Sequence, residues 1–437
     1  MGVKVGQEPA TYRLPGSRYG PHGICTAGMP GSLNGVGRVS TALTWSAMWL
    51  EYESSSFICP SHAFSAVSAG SSGRVVLVGA ESERPYERPP LSKGLLLGSE
   101  ERDNIYVHDA GWYDANGVEL LLGTQMTELD PQARQITLSD GARLDYEKLL
   151  LTTGSRPRRL ELQGGRYLRT LADSDALNAE LSEGKHVVII GAGWIGLEIA
   201  SAARNRGADV TILEMGGLPL QRVLGDEVAQ IFADLHRDHG VTFHFGASVT
   251  PESVAALRPD VLLVAVGIKP NSDVAQQAGL HVDNGIVVDE TLRTSDPHIY
   301  AAGDVANAYH PLLRRNIRVE HWANALNAGP VAARSMLGQN VSYDNLPFFY
   351  TDQYDLGMEY SGYAAPGEYD RVVFRGSVPT REFIAFWTSE GRVLAGMNVN
   401  VWDVQDDIQT LIRAGYAGKA VDLERLADPE VPLIELP

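Results

Sequence analysis

The clearest chemistry in the chain lies in Lys185–Glu214, which reads KHVVIIGAGWIGLEIASAARNRGADVTILE. A short apolar stretch, Val187–Ile190, runs into Gly191-Ala192-Gly193-Trp194-Ile195-Gly196. Glycines at this spacing suit a phosphate-binding turn. Gly191 permits the tight turn, Gly193 lets the backbone approach a pyrophosphate, and Gly196 allows the following helix to pack on the preceding strand. The helix N-terminus offers free N–H groups and the positive end of a dipole to an anion, with Trp194 and Ile195 inside the same loop. A second strand, Val210–Leu213, ends in Glu214, about 20 residues beyond the loop, where a carboxylate accepts hydrogen bonds from ribose hydroxyls. Strand, loop, helix and acid together read as a dinucleotide site. The acid favours NADH over NADPH, because it repels a 2′-phosphate; Arg222 nearby makes that preference moderate.

Pieces of the same plan recur. Arg74–Glu81 reads RVVLVGAE, a strand ending in an acid, like VTILE at 210–214. Leu149–Pro157 reads LLLTTGSRP and Val261–Pro270 reads VLLVAVGIKP, each an apolar strand ending in a glycine, Gly154 or Gly267, with a proline three residues on. Duplication implies two nucleotide-binding units. The first unit should open with its own strand and glycine loop just before Arg74, and none is legible there. Gly35-Val36-Gly37 has neither a strand before it nor a glycine at the sixth position. A missing strand would sit at the centre of a sheet and leave backbone groups unpaired.

Residues 1–72 differ from the rest of the chain. They are poor in charge, rich in Ser, Gly and Pro, and hold no sustained period except around Ala42–Tyr52. A disordered extension, an extra element and a frame-shifted or mis-assigned start that replaces the first unit all suit such a stretch. The third is favoured, because the duplicated unit breaks off there. From Gly73 onward strands and helices alternate, which implies parallel sheets with crossover helices. From about Ser342 the pattern changes. Arg371–Arg375, Phe383–Thr388 and Val393–Val399 read as antiparallel strands, with a closing helix near Val404–Ala414.

The 437 residues suit two or three domains. A net charge of -18 argues against a nucleic-acid binder and for a cytoplasmic protein. No uninterrupted apolar run of about 18 residues points to a membrane span. Cys25 and Cys59 are the two cysteines. Their separation rules out a closely spaced redox dithiol. No histidine has metal-ligand spacing, so no metal site is expected.

From Gly73 to the end the chain resembles the FAD-dependent ferredoxin reductases. The resemblance rests on Lys185–Glu214, on PYERPPLSK at 85–93, on IYAAGDV at 299–305 and on RVEHWANA at 318–325. It implies an α/β fold: two Rossmann-like, three-layer dinucleotide-binding domains plus a C-terminal α+β domain. The expected division is an FAD domain over 73–158 and 283–341, an NAD(H) domain over 159–282 and a reductase domain over 342–437. It further implies that Arg88, Pro89, Lys93 and Arg156 meet FAD, that Glu81 takes its adenosine ribose and that the Met126 backbone meets its adenine. Asp304 is expected at the ribityl chain, and Trp322 beside the isoalloxazine with His321 as its neighbour. Gly267 completes the expected cofactor contacts. Lys93, Glu198 and Trp322 are implied at the reacting centre.

The implied activity is transfer of electrons from NADH through FAD to a ferredoxin-type iron–sulfur protein, the missing cysteine pair arguing against a disulfide route. Arg314, Arg315 and Arg318 form a basic cluster suited to an acidic partner. Two alternatives compete. An NADH oxidase or peroxidase would want a cysteine beside the flavin, and none occurs after residue 59. A degenerate NAD-binding protein that has lost its flavin site would stay colourless with added FAD.

Overall fold

The computed structural model describes residues 73–436, and upstream of them only the backbone of Thr41–Trp45, Leu50–Glu51 and Cys59–Pro60. Cys25 and Gly35-Val36-Gly37 lie outside the described residues.

Two five-stranded sheets share one strand order. In the second, His186–Ile190 is central. Asp209–Glu214 and then Thr242–Phe245 lie on one side, Val261–Val264 and then Gly165–Arg166 on the other, all parallel. In the first, the matching order is Val118–Leu121, Val75–Gly79, Thr41–Trp45, Lys148–Thr152 and Ile299–Ala301, again all parallel. Strands such as Val75–Gly79 and Val261–Val264 are buried along their full length. That is why they read as continuous apolar runs: helices cover both faces of a parallel sheet.

The centre of the first sheet corrects the expectation of a missing strand. Thr41–Trp45 fills it, with Thr41 opposite Val75 and Lys148, and Trp45 opposite Gly79 and Thr152. Threonine and tryptophan suit a strand, and two flanking strands offer pairing on both edges. A five-residue segment without a readable loop after it gave too weak a signal to recognise. The first sheet also takes Ile299–Ala301 from beyond the second, so the chain leaves the first unit, builds the second and returns. Where it crosses, Ser155–Pro157 and Ile268–Pro270 pair antiparallel with each other. The two Gly-x-x-Pro segments of the repeat are therefore neighbours in space.

The C-terminal sheet is antiparallel, in the order Phe348–Gln353, Leu356–Gly362, Arg392–Val399, Glu382–Ser389, Arg371–Ser377. Both of its faces are covered. Ile384 and Phe386 pack with Ile408 and Ile412 of the Gln405–Tyr416 helix. A Cβ at Gly415 of that helix would lie 2.2 Å from the Val393 carbonyl oxygen, so the backbones touch. Phe383, Ala385 and Trp387, which alternate with the first set, join the core of the second unit, with Leu224 and Phe232 of the Gln221–Asp238 helix.

That helix is interrupted at Gly225 (φ 78°, ψ 175°). The break frees the Leu224 carbonyl, and the indole N–H of buried Trp387 donates to it at 3.1 Å. A tryptophan therefore fastens the C-terminal sheet to the second unit. Trp387→Ala is expected to lower stability by about 3–5 kcal/mol, the usual cost of deleting a large buried ring; a thermal unfolding midpoint little changed from the parent would contradict this.

Candidate functional site

The glycine loop is built as its residue types require. Gly191 has φ 100°, and a Cβ there would lie 2.4 Å from the Ala265 carbonyl oxygen. At Gly196 a Cβ would lie 2.2 Å from the Gly191 carbonyl oxygen. At Gly193 it would meet nothing within 4 Å. Gly191 and Gly196 are thus required by the fold, whereas Gly193 leaves open space where a pyrophosphate would approach. The Glu214 carboxylate accepts from the backbone N–H of Ala192 at 2.7 Å and of Gly216 at 2.6 Å. It braces the loop at the end of its strand, with lone pairs still available to a ribose. Ile195 is exposed, but the Trp194 ring turns inward, 5.0 Å from Phe349 and 5.7 Å from Phe232. Trp194 can therefore serve a ligand only through its backbone. Gly267 has φ 95°, and its carbonyl accepts from Arg158 N–H at 2.9 Å.

A cavity of about 740 Å³ opens beside the first sheet. Glu81, Arg88, Met126, Arg156 and Arg169 line it. Glu81 lies two residues beyond the end of its strand, Val75–Gly79, whereas Glu214 is the last residue of its own, and the Glu81 carboxylate is held by Arg88 at 2.5 Å and by the Tyr86 hydroxyl. Arg88 donates to the Arg169 carbonyl, and Arg169 reaches Asp304 at 3.1 Å. Burial works against the charge on Arg88, but Tyr86, Glu81 and Asp304 outweigh it and raise its pKa. Burial, and then Arg88 beside it, lower that of Arg169. Two guanidiniums in one half-buried cluster suit an anionic diphosphate. Arg169 escaped the sequence reading; its only signal is a position just ahead of the Thr170–Asp173 capping box. Arg156 bonds Asn271 at 2.7 Å and pairs with Asp273 at 2.6 Å, at the crossing of the two units. Pro89 does not line the cavity. It opens the short Pro89–Leu91 turn that delivers Ser92 and Lys93.

Lys93 and Glu198, far apart in sequence, meet at 2.5 Å. Glu198 lies on the Trp194–Asn205 helix that the glycine loop begins, and it is 7% exposed. It also accepts from the Ser92 hydroxyl at 2.5 Å and the Thr351 hydroxyl at 2.6 Å. A buried carboxylate without partners would be costly; this one has three donors. The Lys93 ammonium lies 5.4 Å from the Tyr350 ring centre, and Trp322 stands edge-on to Tyr350 at 6.1 Å. Trp322, Lys93 and Glu198 are therefore contiguous through Tyr350, which the sequence did not reveal. Among the described residues the buried Trp322 indole N–H has no hydrogen-bond partner. His321 caps the Trp322–Met336 helix by accepting from Ala323 N–H at 3.2 Å. Burial first, and then Lys93, push its pKa down to about 3, so it is neutral.

The three arginines expected to form one docking patch do not. Arg318 turns inward, its side chain 8% exposed, to Glu320 and the Asp304 carbonyl. Arg315 is tied to Glu368 and lies over Tyr363, leaving Arg314 exposed. Charges adjacent in sequence point to different faces because the chain runs from a turn into the Arg315–Ile317 strand.

The residues present fit both nucleotides. The glycine cradle and braced Glu214 suit NAD(H). The cavity, the Arg88–Arg169 cluster and the unpartnered indole of Trp322 suit FAD. One element of a flavin site is absent from the sequence: after Thr41–Trp45 no glycine occurs until Gly70.

The description of pyridine nucleotide-disulphide oxidoreductases matches residues 61–329, and that of the reductase C-terminal domain matches residues 348–436. The first match begins at 61 rather than 73, because the small residues of 61–72 carry too little periodicity to be read alone. The chain is 39% identical over 377 residues to the ferredoxin–NAD(+) reductase component of an anthranilate 1,2-dioxygenase system from Burkholderia cepacia, covering 82% of this chain and 92% of that one. It is 36% identical to putidaredoxin reductase of Pseudomonas putida, covering 77% and 85%. The covalent putidaredoxin reductase–putidaredoxin complex superposes with a TM-score of 0.81 at 30% identity, covering 91% of this chain and 98% of that one.

Gly193→Ala should leave the unfolding midpoint unchanged yet weaken NADH binding at least tenfold in a fluorescence titration, whereas Gly196→Ala should lower both. Because no glycine follows Thr41–Trp45 before Gly70, and bonds from a glycine loop to a phosphate are worth about 1.5–3 kcal/mol each, the purified chain should carry less than one FAD and take up more when FAD is added; full, dialysis-resistant flavin absorbance would refute this. His321 is neutral when folded but free to protonate when unfolded. Its contribution is complete above pH 6.5 and is lost as pH falls toward 3. Stability should therefore decline over that window, and less steeply in His321→Gln.

Proposed function

Because the chain belongs to the pyridine nucleotide-disulphide oxidoreductase family, we propose that it is an NADH-dependent flavoprotein reductase serving a ferredoxin-type iron–sulfur protein. Its relatives are named as ferredoxin–NAD(+) reductase components and putidaredoxin reductase. The observation that carries the reading is the Lys93–Glu198 pair. It joins the segment beside the Arg88 cluster to the helix that begins at the NAD(H) glycine loop. No cysteine occurs after Cys59, so among residues 73–436 no thiol is offered to take electrons from a flavin, and an iron–sulfur protein is the favoured acceptor.

FAD, when bound, supplies hydride acceptance and the release of electrons singly. The chain supplies binding and orientation. Arg88, Arg169 and Asp304 would hold the diphosphate and ribityl region, and Met126 the adenine. Trp322 would give the flavin ring a flat apolar wall. Lys93 and Glu198 would orient the nicotinamide and moderate charge at the reacting ring. Glu214 would select NADH by its repulsion of a 2′-phosphate. We divide the chain into an FAD unit over 73–158 and 283–341, an NAD(H) unit over 159–282 and a C-terminal unit over 342–437. We place the reaction in the cytoplasm, where NADH is generated. Among the described residues no helix is long and apolar enough to cross a membrane.

With added FAD, the protein should oxidise NADH at a rate that rises with the concentration of a ferredoxin-type iron–sulfur protein. NADPH should be a substrate poorer by at least tenfold. NADH oxidation driven by oxygen alone, indifferent to that acceptor, would overturn the proposal.

A further inference from the structure

Beyond Glu198 a line of buried polar side chains continues into the core. Thr351 is 1% exposed, while Gln353 and His236 are 0% exposed. The Gln353 amide lies 3.2 Å from Thr351 Oγ1 and 2.8 Å from His236 Nε2. The other ring nitrogen, His236 Nδ1, lies 3.3 Å from the Tyr354 hydroxyl. Four contacts thus link the Glu198 carboxylate to Tyr354, across the boundary between the glycine-loop helix, the Gln221–Asp238 helix and the C-terminal sheet.

Donor counting fixes every proton in this line. An ionised carboxylate only accepts, so the Thr351 hydroxyl spends its proton on Glu198. Thr351 Oγ1 must then accept from the amide NH₂ of Gln353. That leaves the Gln353 oxygen facing His236, which must donate from Nε2. Burial pushes the pKa of His236 down to about 4, so the ring is neutral and Nδ1 has no proton. Nδ1 therefore accepts from Tyr354. Each dipole points its positive end at Glu198. Reversing any member would set two donors or two acceptors face to face in a site closed to water, where an unmade hydrogen bond is costly.

We propose that Thr351, Gln353, His236 and Tyr354 are positioning residues for the reductive step, a polarised relay that holds the Glu198 carboxylate aimed at Lys93. This rests on the proposed function above, in which Lys93 and Glu198 stand at the reacting centre. An amide in the middle cannot readily pass protons along, so the relay orients charge and does not conduct protons. Thr351 is its decisive member, as the only one that touches Glu198.

Two measurements test it. Histidine ¹⁵N NMR, with the His236 signal assigned by its loss in His236→Asn, should show a neutral ring protonated on Nε2 that does not titrate between pH 5 and 8. A ring protonated on Nδ1, or one titrating in that range, overturns the relay without reference to flavin. In stopped-flow reduction of the FAD-loaded protein by NADH, Thr351→Val should slow flavin reduction at saturating NADH at least fivefold. The NADH dissociation constant should change less than twofold, and Thr351→Ser should restore the rate. Equal rates in Thr351→Val and the parent, or no rescue by serine, reject the proposal. Failure of the parent itself to be reduced would instead reject the functional reading.

Discussion

A carboxylate buried to 7% exposure has to be surrounded by donors, and Glu198 draws them from distant parts of the chain. Lys93 and Ser92 reach it from the first unit, Thr351 from the C-terminal sheet, and its own helix begins at the glycine loop of the second. Removing it from water without these partners would cost several kcal/mol. The requirement therefore acts on the relative placement of all three parts. The apolar contacts between Trp387, Leu224 and Phe232 bring the second unit and the C-terminal sheet together, but such contacts tolerate sliding. The donors to Glu198 have direction and short range, and they fix the register of the assembly at the point where its three parts meet.

The two parallel sheets show how one local plan serves two ends. In the second, strand, glycine loop, helix and bracing acid all carry the residues that phosphate binding demands. In the first, the strand order is the same and Thr41–Trp45 holds the central place, but the sequence after it lacks the glycines. The sheet depends on backbone pairing, which many sequences satisfy. The loop depends on φ values and close approaches that glycine alone meets, as the 2.4 Å and 2.2 Å contacts at Gly191 and Gly196 make plain. Architecture and glycine-loop chemistry are thus separable.

Much of this was legible in the residues themselves. Periodicity and turn chemistry identified the repeated units, because a parallel strand buried on both faces leaves an apolar run and a phosphate loop leaves its glycines. Three of the five C-terminal strands, Arg371–Ser377, Glu382–Ser389 and Arg392–Val399, were found near their true bounds because turns separate them, while Phe348–Gln353 and Leu356–Gly362 were not read. Gly191, Gly193, Gly196 and Glu214 stand in one loop for the same reason: strand, turn and helix are local, so spacing in sequence becomes spacing in space.

Other features were settled only by the tertiary structure. Lys93 and Glu198 were paired by resemblance alone; the donors Ser92 and Thr351 and the ring of Tyr350 gave no signal, and the second guanidinium of Arg169 gave only its place ahead of a capping box. Their proximity arises from how sheets and helices pack across units, and packing leaves no fixed interval between positions. The arginines at 314, 315 and 318 show the converse. Closeness along the chain suggested one patch, but a turn and a strand send Arg318 inward to Asp304 and leave Arg314 in solvent. What the sequence determines here is whatever depends on backbone period and local geometry. What the folded chain alone decides is which charges share a buried space, since that depends on desolvation and on contacts between segments a hundred or more residues apart.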